Sequence, residues 1–364
     1  MSQPVHYSDY LQLDKILDAQ YPESDKHGLP AHDEMLFIII HQSYELWFKH
    51  LLHEVDSVKD ILGKPALNDN SPALQTVVHR LFRVVTILKL LVQQIDVMET
   101  MTPMDFLDFR DMLRPASGFQ SWQFKMLEAK LGLKFDQRYG QEYYISQLRP
   151  KQVELIKQAE KEISILELLN TWLERMPFFE EEANWKNFPT SYSSSDKTSF
   201  GNVPGENRFW NEYYLRYKES LADAEKANEI VFKKVFSEAD STTTLAPPAI
   251  EQTRALSPKA SRDALFIMLY RGYPMLQLPF QVLNVLLEID EQLSTWRYRH
   301  MSMVHRMIGS RIGTGGSTGK DYLKGALDKH SIFAEIARLN SFLIARGKLP
   351  ELSTEMEKRL GFGN

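Results

Sequence analysis

The chain has 364 residues, of which 43% are hydrophobic and 11% aromatic, and its 43 basic and 48 acidic residues leave a net charge of −5. This composition predicts a folded globular protein, and the balanced charge argues against a broad nucleic-acid-binding surface. The lack of cysteine excludes disulfide frameworks, thiolate metal sites, iron–sulfur clusters and cysteine nucleophiles. Any metal would therefore be held by histidine, carboxylate or tyrosine.

The sequence carries no targeting or membrane signal. No segment approaches the roughly 18 consecutive apolar residues of a transmembrane helix. The first residues, MSQPVHYSDYLQLD, have neither the basic region nor the apolar region of a secretory signal. We therefore expect a cytoplasmic protein that does not insert into a membrane.

Helical periodicity extends along most of the chain. From Asp33 to Leu62, apolar residues recur at spacings of three, four and seven, which places them on one face of a helix. Ser71 and Pro72 form a typical helix start, and the helix that follows is apolar around much of its circumference. Further helices are predicted at Pro103 to Leu113, Ser121 to Leu131, Gln141 to Leu148, Pro150 to Arg175, Asn207 to Phe236, Ser261 to Arg271 and Leu276 to Ile308. The sequence therefore predicts an all-α fold.

Two segments, 187–206 and 241–248, interrupt the helical pattern. Both are rich in Ser, Thr, Gly and Pro, so they bury too little apolar surface to offset the entropy lost on ordering. We interpret residues 187–248 as a partly irregular helical insertion. The length would allow two domains, but the continuous helical pattern favours a single helical domain over residues 1–364.

Among the ten histidines, two familiar metal patterns are missing. No histidine has a glutamate three residues before it, as a ferritin-like di-iron site needs, and no HExxH zinc-protease motif occurs. His41 differs from the others because it follows an apolar run and lies about 400° around the helix from Phe37, so both point nearly the same way. By itself this pattern also fits a core histidine that bonds a backbone carbonyl.

A second pair of histidines lies in the segment TWRYRHMSMVHRMIGS. His300 and His305 are about 500° apart around a helix, so their side chains diverge by about 140° and cannot share one ligand. Only one can face the core, where Met303, Val304 and Met307 would supply an apolar wall. Core packing is the competing interpretation of this segment.

Two further segments contain residues that could bind a small molecule. The Gly-rich stretch from Gly313 to Leu323 does not meet the phosphate-loop pattern, and it fits a mobile flap with glycine hinges better. In METMTPMDFLDFRDMLRPASGFQS, Phe106 and Arg110 lie on one helical face. The arginine suits a carboxylate, although its spacing alone also fits a surface ion pair with Asp105 or Asp108.

Four segments together resemble segments of the tryptophan 2,3-dioxygenase family, both in their amino-acid sequence and in their order along the chain. They are YSDYLQLDKILDAQ, HDEMLFIIIHQSYELWFKHLLHEVDSV, METMTPMDFLDFRDMLRPASGFQS and RYRHMSMVHRMIGSRIGTGGSTG. The resemblance implies haem b bound in a pocket between core helices, a homotetramer, and oxidative cleavage of the indole ring of L-tryptophan by O2 to N-formyl-L-kynurenine.

The resemblance also implies a role for particular residues. His300 matches the axial histidine of the haem iron, and Ser117 with Gly118 matches the segment beside the haem propionates. His41 matches the distal histidine near the indole nitrogen, and Arg110 matches the arginine that binds the substrate carboxylate. Phe37 and Phe106 match the aromatic walls of the substrate site, and Thr314 matches the threonine beside the substrate ammonium. Tyr7 and Tyr10 match tyrosines that reach a neighbouring subunit from an N-terminal arm, which corresponds to residues 1–20.

Two alternative functions remain open from the sequence. Related haem enzymes with a histidine ligand hydroxylate substituted indoles or other aromatic rings instead of cleaving them. A haem-binding sensor without turnover is less favoured, because it would not need an arginine and a threonine at an amino-acid-binding spacing.

Overall fold

The computed structural model describes residues 4–67, 70–140, 145–176, 208–236, 255–309, 311–313, 324–325, 327 and 329–361. Within these ranges the regular elements are helices, and no strand occurs. The α-helices are α1 (Tyr7–Leu11), α2 (Leu13–Leu17), α3 (Glu23–Lys26), α4 (Glu34–Leu62), α5 (Pro72–Met98), α6 (Pro103–Arg110), α7 (Trp122–Leu131), α8 (Pro150–Lys161), α9 (Ile165–Glu174), α10 (Arg208–Ser220), α11 (Asn228–Phe236), α12 (Pro258–Leu269), α13 (Pro274–Ile308), α14 (Ala334–Leu339) and α15 (Thr354–Leu360). The all-α prediction is confirmed.

Three long helices, α4, α5 and α13, form the centre of the fold. Helix α5 packs against both α4 and α13. It begins where the sequence predicts: the Ser71 hydroxyl accepts the N–H of Leu74 at 3.2 Å, and Pro72 occupies the first turn. Its positions Val77, Leu81 and Val84 are fully buried, as the spacing of three and four requires.

Two stretches predicted as single helices are each divided in two, so those boundaries were wrong. The stretch from Pro150 to Arg175 breaks at Ser164, whose hydroxyl accepts the N–H of Glu167 while the Glu167 carboxylate accepts the N–H of Ser164. This capping box starts a new helix, α9. The stretch ending at Phe236 is broken after Ser220 by a short 3₁₀ turn at Asp223–Glu225. Of the predicted helix from Gln141 to Leu148, residues 141–144 lie outside the described part.

The described helices of the predicted insertion, α10 and α11, belong to the main core. Phe209 and Trp210 from α10 and Phe232 and Phe236 from α11 are fully buried in the same hydrophobic cluster as the long helices. The buried hydroxyl of Tyr213 donates to the carbonyl of Phe342 at 2.6 Å. The two loops predicted at 187–206 and 241–248 lie outside the described residues.

The N-terminal segment differs from the rest in packing. Helices α1 and α2 contain no buried residue. The Gln42 side chain of α4 donates to the carbonyl of Ala19 and accepts from Gln20, so the chain is attached to the body at that point. Separately, none of the helices in the described ranges is long and apolar enough to cross a membrane.

Candidate functional site

A cavity of about 580 Å³ lies between the long helices, a size typical of sites for small molecules and cofactors. Its walls come from α4, α5, α6, α7, α13 and the segment before α7. The side chains around it include Phe37, His41, Tyr44, Ile95, Met98, Phe106, Leu113, Ser117, Gly118, Trp122, Phe124, Trp296, His300 and Met303, with Lys125, Glu128, Arg297 and His330 adding polar groups. The cavity therefore joins segments that are hundreds of residues apart in the chain.

One wall carries Phe37 and His41, on the face predicted from their spacing. Their ring centroids are 4.1 Å apart, and Phe106 of α6 stacks on Phe37 at 5.7 Å. The Nδ1 atom of His41 lies 2.7 Å from the carbonyl oxygen of Phe37, which can only accept, so Nδ1 carries the proton. Burial lowers the pKa of His41, and the ring is neutral at pH 7. Its Nε2 is then a hydrogen-bond acceptor.

Another wall carries His300 on α13, while His305 is exposed. The Nδ1 atom of His300 is buried and has no hydrogen-bond partner within the described part of the chain. Burial, with a smaller contribution from nearby His41, lowers the pKa of His300 to about 4. The imidazole is therefore neutral at pH 7, and its lone pair can bind a metal.

The cavity and the histidines His41 and His300 can be compared with what a haem site requires. A haem needs a flat apolar space and one neutral axial donor. The cavity supplies aromatic and methionine walls, including Met98, Phe124 and Met303, and it places the neutral imidazole of His300 at its edge. Across the described ranges, no group of three or more histidine and carboxylate side chains is arranged to hold a bare metal ion. The residues present fit the cofactor.

Arg110 is buried beside the cavity but does not line it. Its guanidinium donates to the backbone carbonyl of Ile312, in the segment that leads to residue 314. Among the described residues, the Asp111 carboxylate lies within salt-bridge range of Arg110, at 3.6 Å. The alternative of a surface ion pair with Asp105 or Asp108 is not observed among the described residues, and the Asp105 carboxylate instead accepts the N–H of Thr102 and caps α6.

Ser117 and Gly118 line the cavity just before α7. The Ser117 hydroxyl accepts the N–H of Phe119 at 3.3 Å and so begins a short 3₁₀ turn at Gly118–Gln120. Thr314 lies outside the described residues. Tyr7 and Tyr10 do not line the cavity of their own chain, where they are 70% and 75% exposed.

The sequence patterns did not predict a buried charged network that borders the cavity. Glu128 of α7 accepts hydrogen bonds from Arg138 at 2.7 Å and from Arg297 at 2.6 Å, and His330 lies 3.6 Å away. Burial alone would raise the pKa of Glu128, but the bond to His330 and the charges of Arg297 and Arg138 hold it well below its usual range. Burial also lowers the pKa of neighbouring Lys125 to about 8.

Trp296 and Tyr44 were also missed as site residues. Trp296 precedes His300 by one helical turn, and its ring is parallel to the imidazole. Tyr44 follows His41 by three residues and donates its hydroxyl proton to the carbonyl of Leu91 at 3.0 Å. The helical spacing of these residues from the two histidines was the available signal.

Known proteins match this chain along nearly its whole length. The profile of the tryptophan 2,3-dioxygenase family matches residues 1–343. A tryptophan 2,3-dioxygenase of Bdellovibrio bacteriovorus is 42% identical, covering 99% of this chain and 98% of that protein. Those of Dictyostelium discoideum and Xenopus tropicalis are 41% and 42% identical, covering 98% and 97% of this chain and 88% and 86% of theirs. The chain therefore belongs to the tryptophan 2,3-dioxygenase family.

Proposed function

We propose that the chain is a haem-dependent dioxygenase that cleaves the indole C2–C3 bond of L-tryptophan with O2 to give N-formyl-L-kynurenine. The observation that carries the proposal is that one apolar cavity is lined by both a neutral His300 and the pair Phe37 and His41. Family membership over nearly the whole chain supports the same reaction.

His300 is the residue proposed to hold the cofactor, one haem b per subunit, through its neutral imidazole. Ser117 and Gly118, at the start of the 3₁₀ turn, would lie beside the haem propionates. When bound, haem supplies the dioxygen chemistry of the reaction. The protein's contribution is to place the substrate and to exclude water from the apolar cavity.

The substrate is a zwitterion with an aromatic side chain, so three kinds of contact are needed. Phe37 and Phe106 form aromatic walls for the indole, and Nε2 of His41 accepts the indole N–H. An indole N–H is a very weak acid, so His41 orients the ring rather than removing its proton. Arg110 is proposed to bind the carboxylate by a bidentate contact in exchange for its bond to the Ile312 carbonyl, and Thr314 to bind the ammonium.

The active unit is proposed to be a homotetramer in which Tyr7 and Tyr10 complete a neighbour's pocket. Both side chains are largely exposed in the single chain, on an arm in which residues 4–20 include no buried residue. Docking on a second copy would remove this aromatic surface from water and close the indole site.

Product analysis with labelled dioxygen tests the proposed reaction. The protein is reconstituted with haem, reduced, and given L-tryptophan and ¹⁸O₂, and the products are analysed by mass spectrometry. Two labelled oxygens in N-formylkynurenine are expected. One labelled oxygen in a hydroxylated indole would instead support a monooxygenase, and haem binding without any product would favour a sensor.

A further inference from the structure

The imidazole of His300 is parallel to the indole of Trp296. The two residues are one turn apart on α13, their ring centroids are 5.0 Å apart, and the angle between the ring planes is 3°. Helical spacing brings side chains at i and i+4 together, but it does not make their rings parallel, since the outer torsion of an aromatic side chain is broad. The parallel arrangement is therefore a property of the packing around this pair.

The indole of Trp296 is held by rings from two other helices. Phe124 of α7 lies 4.9 Å away, and Tyr44 of α4 meets it edge-on at 6.1 Å. Tyr44 is itself fixed, because it stacks on Phe48 at 6.2 Å and bonds the backbone of α5. The indole plane is thus determined by contacts from α4 and α7 before any ligand is considered.

Among the described residues, no carboxylate or carbonyl supplies His300 with the hydrogen bond that usually orients a histidine ligand. Metal-binding histidines normally donate their second ring N–H to a carboxylate, carbonyl or water, which fixes the ring plane. Nδ1 of His300 is buried without such a partner within the described residues. In the described part of the chain, the indole face of Trp296 is the aromatic contact made to this imidazole.

We propose that Trp296 is a positioning residue for haem binding, whose indole face sets the plane in which the His300 imidazole meets the haem iron. The inference rests on the proposed function, since it assumes that His300 is the axial ligand. The plane of an axial imidazole governs its overlap with the iron d orbitals. Loss of the indole face is therefore expected to change the iron–histidine bond.

The test compares variants that remove or keep the aromatic face. Trp296→Leu and Trp296→Met remove it, and Trp296→Phe keeps a smaller one. Tyr298→Leu is the matched control, because Tyr298 is an exposed aromatic residue on the same helix. Each reconstituted protein is examined by resonance Raman in the ferrous state, by electron paramagnetic resonance in the ferric state, and by haem transfer to apomyoglobin.

We expect the iron–histidine stretching band to shift and broaden in Trp296→Leu and Trp296→Met, with altered ferric g values. Haem transfer should be about threefold to tenfold faster, the size of one aromatic pair. Trp296→Phe should recover most of the wild-type signature, and Tyr298→Leu should match wild type. If only one of the two non-aromatic variants folds, the same spectra decide the question.

Two results would overturn the inference in distinguishable ways. A wild-type iron–histidine band and wild-type g values in a folded non-aromatic variant would show that Trp296 only fills space, even if its melting temperature falls. A wild-type protein that shows no iron–histidine band would contradict the proposed function itself, and the role of Trp296 with it.

Discussion

The guanidinium of Arg110 donates a hydrogen bond to the backbone carbonyl of Ile312. This contact joins the end of α6 to the segment that enters the Gly-rich stretch at residue 313. Nε of Arg110 is buried without a hydrogen-bond partner in the described ranges. The arginine thus retains donor capacity, and a substrate carboxylate could use it or exchange with the carbonyl.

Replacement of Arg110 tests the carboxylate contact. Loss of a buried charge-assisted hydrogen bond costs roughly 2 to 5 kcal/mol, so Arg110→Ala should lower kcat/KM for L-tryptophan by about thirtyfold to several thousandfold. Tryptamine, which lacks the carboxylate, should be a poor substrate of the wild type. Arg114→Ala, at an exposed neighbouring arginine, is the control and should have little effect. Equal turnover of tryptamine and L-tryptophan by the wild type would contradict the assignment.

We expect substitution of the two histidines of α13 to have different effects on haem binding. His300 lines the cavity, whereas His305 is exposed on the same helix. His300→Ala should therefore lose haem or its Soret band, and His305→Ala should keep both, as judged by absorption spectra after reconstitution. Equal haem loss in both variants, or loss with His305→Ala alone, would remove His300 as the axial ligand.

The tautomer of His41 leads to a prediction about the indole nitrogen. Since Nδ1–H is directed to the carbonyl of Phe37, only Nε2 can accept the indole N–H. His41→Ala should lower kcat/KM for L-tryptophan about tenfold, the effect of one hydrogen bond. Turnover of 1-methyl-tryptophan, which has no N–H to donate, should change much less. A parallel loss for both substrates would point to a different role, and His53→Ala, at an exposed histidine of α4, controls for the helix.

The sequence predicted the long helices well because their apolar spacing is a local property. The starts of α5 and α7 were predicted for the same reason, since Ser71 and Ser121 act on the next turn of their own chain. The divisions at Ser164 and after Ser220 were missed because the apolar period continues through them. Only the capping geometry shows where one helix ends and another begins.

The part of the site that helical spacing predicted is the pair Phe37 and His41, because two residues one turn apart on a helix share a face. The network around Glu128 could not be predicted in this way. Its partners Arg138, Arg297 and His330 come from three separate segments, and no spacing rule relates them. The burial of Arg110 likewise depends on Ile312, about two hundred residues later in the chain.

The Glu128 network predicts acid-sensitive stability. The pKa of Glu128 lies below its ordinary value of 4.5, so its stabilising effect is complete above that pH and is lost as the pH falls toward the lowered pKa. Glu128→Gln removes the carboxylate that Arg297 pairs with, while Arg138 keeps its contact with Glu160, and the substitution should lower the free energy of unfolding by about 3 to 5 kcal/mol at pH 7.

Denaturant unfolding at pH 7 and pH 4 measures both effects of this substitution. The variant should show a smaller loss of stability between the two pH values than the wild type. Asp223→Asn is the matched control, because Asp223 pairs with Lys226 on the exposed surface and should contribute little. Wild-type stability of Glu128→Gln at pH 7 would contradict the prediction.

The N-terminal arm should act on a neighbouring subunit. The chain is attached to its own body at Ala19 and Gln20, while the two helices before them bury nothing. Deletion of residues 1–12 should therefore spare haem binding, because His300 is untouched. It should sharply reduce turnover of L-tryptophan, because Tyr7 and Tyr10 are removed from every pocket.

Subunit mixing distinguishes an arm that acts in trans from one that serves its own pocket. The truncated protein has intact Arg110 but no arm, and Arg110→Ala has an intact arm but no carboxylate contact. If the arm acts in trans, exchange of subunits places an intact arm beside an intact Arg110 in some pockets, and part of the activity returns. Mass spectrometry of intact assemblies establishes that exchange has occurred. No recovery despite exchange, or full activity of the truncated protein alone, would refute the trans arrangement, because the pocket would then be completed within one chain.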